Sequence, residues 1–271
     1  MEFTTYGGIS VINAVPALLG GAMAINLRVT VKIERGGPCP TNDFINFIIN
    51  YTRNKLGFEP PSDLCITVDS EVPSGSGLKS NSAVATGVVY ALSNYLGLGL
   101  SPVDAARVAA EATKAHGSSI TGAFDDASAS ILCGGVLTDN GSMRVIKQFR
   151  LGDEYVVVLT GFRSGKRLAN LDRLRALGGV YRELFSIALR DVWRAATLNG
   201  VLVAESLGYW DALEVIGRAI SMGAVASGVS GNGPAIFAVF KREEEGPFLD
   251  FVSSRFGYYL TSGFVDVRFT V

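Results

Sequence analysis

Residues 73–83 read Pro-Ser-Gly-Ser-Gly-Leu-Lys-Ser-Asn-Ser-Ala and run straight into an apolar stretch of helical period, so a glycine loop is joined to a helix N-terminus. Leu64 to Val68 before it reads as a strand. A chain with this strand, loop and helix in succession must mix sheet and helix. The junction also makes an anion site: the free N–H groups of a first helical turn, the positive end of the helix dipole and a close-approaching glycine backbone all favour a polyanion. Two common phosphate signatures are excluded. Leu78 stands directly before Lys79, where a P-loop requires glycine, and Ser80 stands where a dinucleotide fingerprint requires its third glycine.

A chain of 271 residues can bury a large core, as two packed lobes or one large α/β domain. Its 48% hydrophobic content is dispersed, and no run approaches the roughly 20 apolar residues that span a bilayer. The longest candidate, Ala14 to Ile25, is broken by Pro16 and paired glycines and has no basic residue before it. Neither membrane association nor a secretory signal is expected. A net charge of −1 without a Lys/Arg run gives no electrostatic case for nucleic acid, which leaves a small molecule as the expected partner. Cys39, Cys65 and Cys133 are odd in number and lack Cys-x-x-Cys spacing, so reduced cysteines in a cytoplasmic protein are expected, with neither a disulfide nor a zinc site.

Ile25 to Ile33 alternates apolar and polar residues without a fault and predicts a strand with one face on the core. A helix is predicted over 41–56, capped by Thr41 or Asn42 and stopped by Gly57. The helix after the glycine loop runs to Gly97, and another opens at Ser101-Pro102 and closes at Gly117. Phe124 to Ser130 predicts a short helix with Asp125 and Asp126 in its first turn. Asp139-Asn140-Gly141 joins a hairpin, and Tyr155 to Thr160 is a further strand. Composition shifts after about residue 152, which predicts lobes at 1–152 and 153–271. The second contains helices over 180–199 and 211–222, strands at 224–227 and 235–240, a helix at 248–256 and a last strand at 264–270.

The 73–83 loop resembles the Pro-x-x-x-Gly-Leu-x-Ser-Ser-Ser-Ala motif of the GHMP small-molecule kinases, with Asn81 in place of the middle serine. Gly228-Val-Ser-Gly-Asn-Gly-Pro234 resembles their C-terminal glycine-rich motif in order and distance. Thr121-Gly-Ala-Phe-Asp-Asp-Ala127, taken with Gly-Leu-Lys-Ser, narrows the resemblance to archaeal-type shikimate kinases over nearly the whole chain, from Gly8 to Pro234.

The resemblance implies an α+β fold of two lobes, the first like the second domain of ribosomal protein S5 and the second ferredoxin-like, with the site between them. It implies transfer of phosphate from ATP to shikimate, with Mg²⁺, in aromatic amino-acid biosynthesis. By the same carry-over Pro73, Ser74, Gly75, Ser76, Gly77, Leu78, Lys79, Ser80, Asn81, Ser82 and Ala83 hold the nucleotide, and Ser82 and Glu111 bind the metal. Asp125 accepts the acceptor's proton, with Asp126 as the competitor for that role. Asn13 and the loop of Ser230, Gly231, Asn232 and Gly233 meet the acceptor. Arg163, Lys166 and Arg167 are candidates for its carboxylate by charge. Several family members carry a basic residue near the position of Ser10; this chain has none there. Homoserine or mevalonate phosphorylation, and a GHMP-fold ligand sensor without catalysis, are the alternatives. Oligomeric state is not readable.

Overall fold

The computed structural model describes residues 1–36, 39–40, 42–163 and 171–271. β1 (Glu2–Ile12) and β2 (Leu19–Arg35) form a long antiparallel pair at the heart of the first sheet. Farther along, β2 pairs with β3 (Leu64–Ser70), while its first residues pair with β4 (Gly135–Asp139), which carries β5 (Arg144–Phe149) on its other side. The alternation read over 25–33 is real: Leu27, Val29, Val31 and Ile33 are buried while Asn26, Arg28, Lys32 and Glu34 are exposed. Upstream, Gly20 to Ile25 is buried throughout, which erases the alternation there. β1 escapes the sequence reading because Gly7-Gly8 looks like a turn. In the sheet Gly8 N donates to Leu78 O at 3.1 Å, and the glycine loop thereby docks on β1.

Four helices pack with this sheet around one apolar cluster: α1 (Asp43–Leu56), α2 (Ser80–Leu96), α3 (Pro102–Ala115) and α4 (Phe124–Leu132). Their ends follow local chemistry. The Asn42 side chain accepts from Ile45 N at 3.0 Å, and Gly57 and Gly97 close α1 and α2 in the left-handed conformation. Phe124 is fully buried and anchors the first turn of α4, a contribution of about 2 kcal/mol.

The second sheet is antiparallel, in the order β7 (Ala226–Val229), β8 (Ile236–Lys241), β6 (Tyr155–Thr160) and β9 (Leu260–Ser262). With it go α5 (Leu171–Ala176), α6 (Gly178–Ala188), α7 (Val192–Leu207), α8 (Trp210–Ser221) and α9 (Gly246–Phe256). The single helix expected over 180–199 is two, because Asp191 caps a new one by accepting from Arg194 N at 3.0 Å. α7 also touches β1, and Asn199 Oδ1 accepts from Asn13 N at 2.9 Å.

The strand expected over 264–270 is absent. After β9 the chain returns to the first sheet through one bridge, Ile25 to Phe264. Its backbone groups then bond to the end of α4 and the residues after it, with Gly134 N donating to Val265 O at 2.8 Å and Arg268 N to Leu132 O at 2.8 Å.

The cysteine expectation is also corrected, since Cys39 and Cys65 form a disulfide across 26 residues of sequence. The pairing of β3 with β2 sets Cys65 opposite Glu34, five residues before Cys39, and the bond closes the intervening chain into a loop, a proximity that spacing alone does not reveal. Closing that loop stabilises the fold by about 3 kcal/mol, so reduction should lower the Tm by roughly 5 to 10 °C. A melting curve with and without reductant, with Cys65→Ser as the reference, checks this. Equal Tm values would mean that the bond contributes nothing. Cys133 is buried and its thiol is pushed up to about 12 by burial, so it is no nucleophile.

Candidate active site

Five segments converge on a cavity of about 310 Å³: the end of β1 with the residues after it, the glycine loop, the α3–α4 connection, the first turn of α4, and the 231–233 loop. Gly75, Ser76, Gly77, Lys79, Ser80, Asn81 and Ser82 of the expected nucleotide loop line it; Pro73, Ser74, Leu78 and Ala83 do not, and Leu78 and Ala83 are instead fully buried in the core.

Within the loop, Ser76 Oγ donates to Pro73 O at 2.6 Å and accepts from Leu78 N at 3.2 Å, which sets the turn. Gly77 has φ of 89°, and a Cβ there would stand 2.5 Å from Ser230 O and 2.9 Å from Gly233 O. Only glycine fits. The two glycine loops are thus one construction, tied further by Ser230 Oγ donating to Gly77 O at 2.9 Å and Ala235 N donating to Ser76 O at 2.9 Å. Ser230 is spent on this tie and is buried, whereas Gly231, Asn232 and Gly233 face the cavity.

The glycine loop ends with Lys79 in the left-handed region (φ 72°) as the N-cap of α2, and no side chain caps that helix. The amides of its first turn are left for a ligand, with the positive end of the helix dipole behind them. The Lys79 side chain folds back instead of projecting outward: Nζ donates to Ser10 Oγ at 2.6 Å and pairs with Asp126 Oδ1 at 2.8 Å. Ser10 Oγ also accepts from Gly231 N at 2.9 Å, so one hydroxyl joins β1, the nucleotide loop and the second glycine loop. Lys79 supplies the cation that the sequence lacks at Ser10. The Lys79 and Asp126 side chains are 6% and 16% exposed, so the pair is little screened by water.

Asp125, one residue earlier on α4, lines the same cavity. It is buried, its Oδ1 accepts from Asn140 Nδ2 at 2.8 Å, and a Cβ on Gly20 would lie 2.6 Å from its Cγ. Burial, with the charge of Asp126 adding to it, pushes its carboxyl up to about 7.

Asn13 lines the cavity, with Nδ2 donating to Gly231 O at 3.2 Å and Asn232 Oδ1 at 2.8 Å. Glu111, a metal ligand by the family resemblance, faces elsewhere. It pairs with Lys55 at 2.9 Å, accepts from Tyr51 OH at 3.3 Å and does not line the cavity. Thr113, two residues on and therefore about 200° around α3, lines it instead. Arg163 is exposed and stacks over Tyr258, 4.6 Å from the ring centroid, outside the cavity lining. Lys166 and Arg167 lie outside the described residues. His116 packs edge-on against Phe44 and Phe47 at the end of α3.

The model of the GHMP kinases N-terminal domain matches residues 43–134. A shikimate kinase of Pyrococcus furiosus is 34% identical over 251 residues, covering 87% of this chain and 90% of that one. The chain belongs to the archaeal shikimate kinase family of GHMP kinases. A second relative in that family, the shikimate kinase of Methanocella arvoryzae, is 32% identical over 89% of this chain and 85% of its own. The fold recurs in the mevalonate kinase of Methanococcus jannaschii, with a TM-score of 0.74 at 15% identity over 98% of each chain. It recurs again in a putative homoserine kinase of Listeria monocytogenes, with a TM-score of 0.69 at 17% identity. The two antiparallel sheets with their helices are the α+β fold expected of the family.

For this family member the sequence reading missed Ser10 as a hub, Thr113 as a lining residue, and Asn140 and Asn199 as supports. The missing basic residue at Ser10 was the one available signal, since it pointed to a cation arriving from elsewhere.

Proposed function

We propose that the protein transfers the γ-phosphoryl group of ATP to the 3-hydroxyl of shikimate, giving shikimate 3-phosphate and ADP. The observation that carries this is the Lys79–Asp126 pair at the mouth of an uncapped helix N-terminus, in a chain about one-third identical to shikimate kinases along nearly its whole length. The amides of the 75–82 segment hold the nucleotide phosphates. Asp126 accepts the proton of the acceptor hydroxyl as its oxygen bonds to the γ-phosphorus and the bond to the β-bridging oxygen breaks. Lys79 holds that carboxylate in line and offers positive charge to the transferring group. Phosphoryl transfer has a loose transition state, so positioning and charge neutralisation supply most of the rate. Asn13 holds Asn232 in place through its Nδ2, and the Asn232 amide is presented to the acceptor's hydroxyls.

Mg²⁺ fits this cavity through the Ser82 hydroxyl and the nucleotide's own oxygens, because the ion takes few protein ligands. When bound it would supply charge neutralisation on the phosphates, and Glu111, paired with Lys55 outside the cavity lining, is left out of this reading. Use of ATP favours a cytoplasmic location.

An ADP-release assay with shikimate, homoserine and mevalonate as acceptors tests the reading. Turnover is expected with shikimate alone. Turnover with homoserine or mevalonate and none with shikimate would overturn the acceptor assignment, and nucleotide binding without turnover on any of the three would favour a sensor.

A further inference from the structure

We propose that Asn140, in the turn of the β4–β5 hairpin, is a positioning residue for phosphoryl transfer that holds Asp125 beneath the Asp126–Lys79 pair and governs its charge. The inference rests on Asp126 being the acceptor-side carboxylate.

Asp-Asn-Gly in a hairpin normally places its asparagine side chain in solvent, as a residue chosen for its backbone conformation. Here the opposite holds: Asn140 is 3% exposed and turned into the protein. Its backbone N–H and both side-chain polar groups are used. Its N donates to Leu18 O at 2.7 Å, its Oδ1 accepts from Thr138 Oγ1 at 2.7 Å, and its Nδ2 donates to Asp125 Oδ1 at 2.8 Å. Thr138 orients the amide, since a hydroxyl proton pointed at Oδ1 leaves Nδ2 facing the carboxylate. The turn itself is held separately by Asp139, which accepts from Gly141 N, Ser142 N and Ser142 Oγ. Asn140 is therefore free for a task other than making the turn.

That task lies one residue from the chemistry. Asp125 meets Gly20 from β2, which carries no charge, Asn140 from the hairpin, Lys79 at the start of α2 and Asp126 on its own helix. Among the described residues lining the cavity Lys79 is the one cation, and it is committed to Asp126. A second buried carboxylate there lacks a counter-charge, and burial and Asp126 raise its pKa while Lys79 and the Asn140 hydrogen bond lower it. Asn140 stabilises the ionised form of Asp125, so its removal moves the Asp125 titration to higher pH. Asp126 then faces a neutral neighbour over a wider pH range.

The test is the pH profile of kcat with shikimate and ATP, measured for the wild type, Asn140→Ala, Thr138→Val and Asp125→Asn. The wild type is expected to show an ionisation near neutrality that Asp125→Asn, unable to ionise, removes. Asn140→Ala should shift its midpoint upward by about one pH unit, and Thr138→Val should shift it less in the same direction. KM for ATP should stay constant, because Asn140 does not line the cavity. Ser142→Ala, which loosens the same turn without touching Asp125, should leave the midpoint in place. An unmoved midpoint in folded Asn140→Ala, or an equal shift in Ser142→Ala, overturns the proposal. If Asn140→Ala does not melt cooperatively, Thr138→Val decides alone. Turnover by Asp126→Ala would remove the underlying reading whatever Asn140 does, whereas an inactive Asp126→Ala with an unmoved Asn140→Ala profile removes only the positioning role.

Discussion

Asp126→Asn is expected to lower kcat by about 10²- to 10⁴-fold, the range for loss of a general base, with no rise in KM for ATP. Asparagine keeps the shape and a hydrogen-bonding oxygen for Lys79, so the loss isolates the carboxylate's ability to take a proton. Lys79, 2.8 Å from that oxygen, is then released toward the phosphates, which is why nucleotide binding should not weaken. Single-turnover ADP release at saturating shikimate measures the effect. A variant within about threefold of the wild type would return the role to Asp125, the residue that the family resemblance favours, or show that transfer needs no base at all.

Lys79→Met should produce the other large effect, a kcat loss of at least about 10²-fold together with lower stability. The substitution keeps the length of the side chain and deletes its charge. It leaves Asp126 without its cation next to buried Asp125, and breaking such a pair costs about 3 kcal/mol. Two adjacent carboxylates without a cation share a proton, so the Asp125 titration moves further up from about 7. The double variant Lys79→Met/Asp126→Asn should regain most of the stability and none of the activity. Additive stability losses in that cycle, measured by denaturant unfolding, would mean that the pair is not coupled in the folded protein.

Much of this site was legible before any fold was known. Glycines at 75 and 77 before an uncapped helix mean an anion site wherever they occur, because the physics lies in the backbone and needs no distant partner. The Asp-Asn-Gly hairpin and the caps at Asn42 and Ser101 are local in the same sense. Glu111 lies outside the cavity lining because carry-over by position tolerates an error of one or two residues and a helix does not: each step turns the side chain by about 100°, and Thr113 faces the cavity instead. Charge likewise says nothing about direction, and the Arg163 guanidinium lies over the Tyr258 ring.

The sequence by itself determined that the 73–83 junction has the chemistry of an anion site, that two acids open the next short helix, and that the fold mixes sheet with helix. Each follows from residues within one turn or one strand of each other. Only the tertiary structure decided which acid meets Lys79, since Asp125 and Asp126 differ by one step on α4 and the burial of Phe124 sets how that helix is rotated. It alone brought Ser10 to Lys79 across 69 residues and Asn140 to Asp125 across 15. The physical reason is common to both. A buried polar group must find a partner, and which partner lies within hydrogen-bonding reach is fixed by the packing of sheet against helix, which no local pattern encodes.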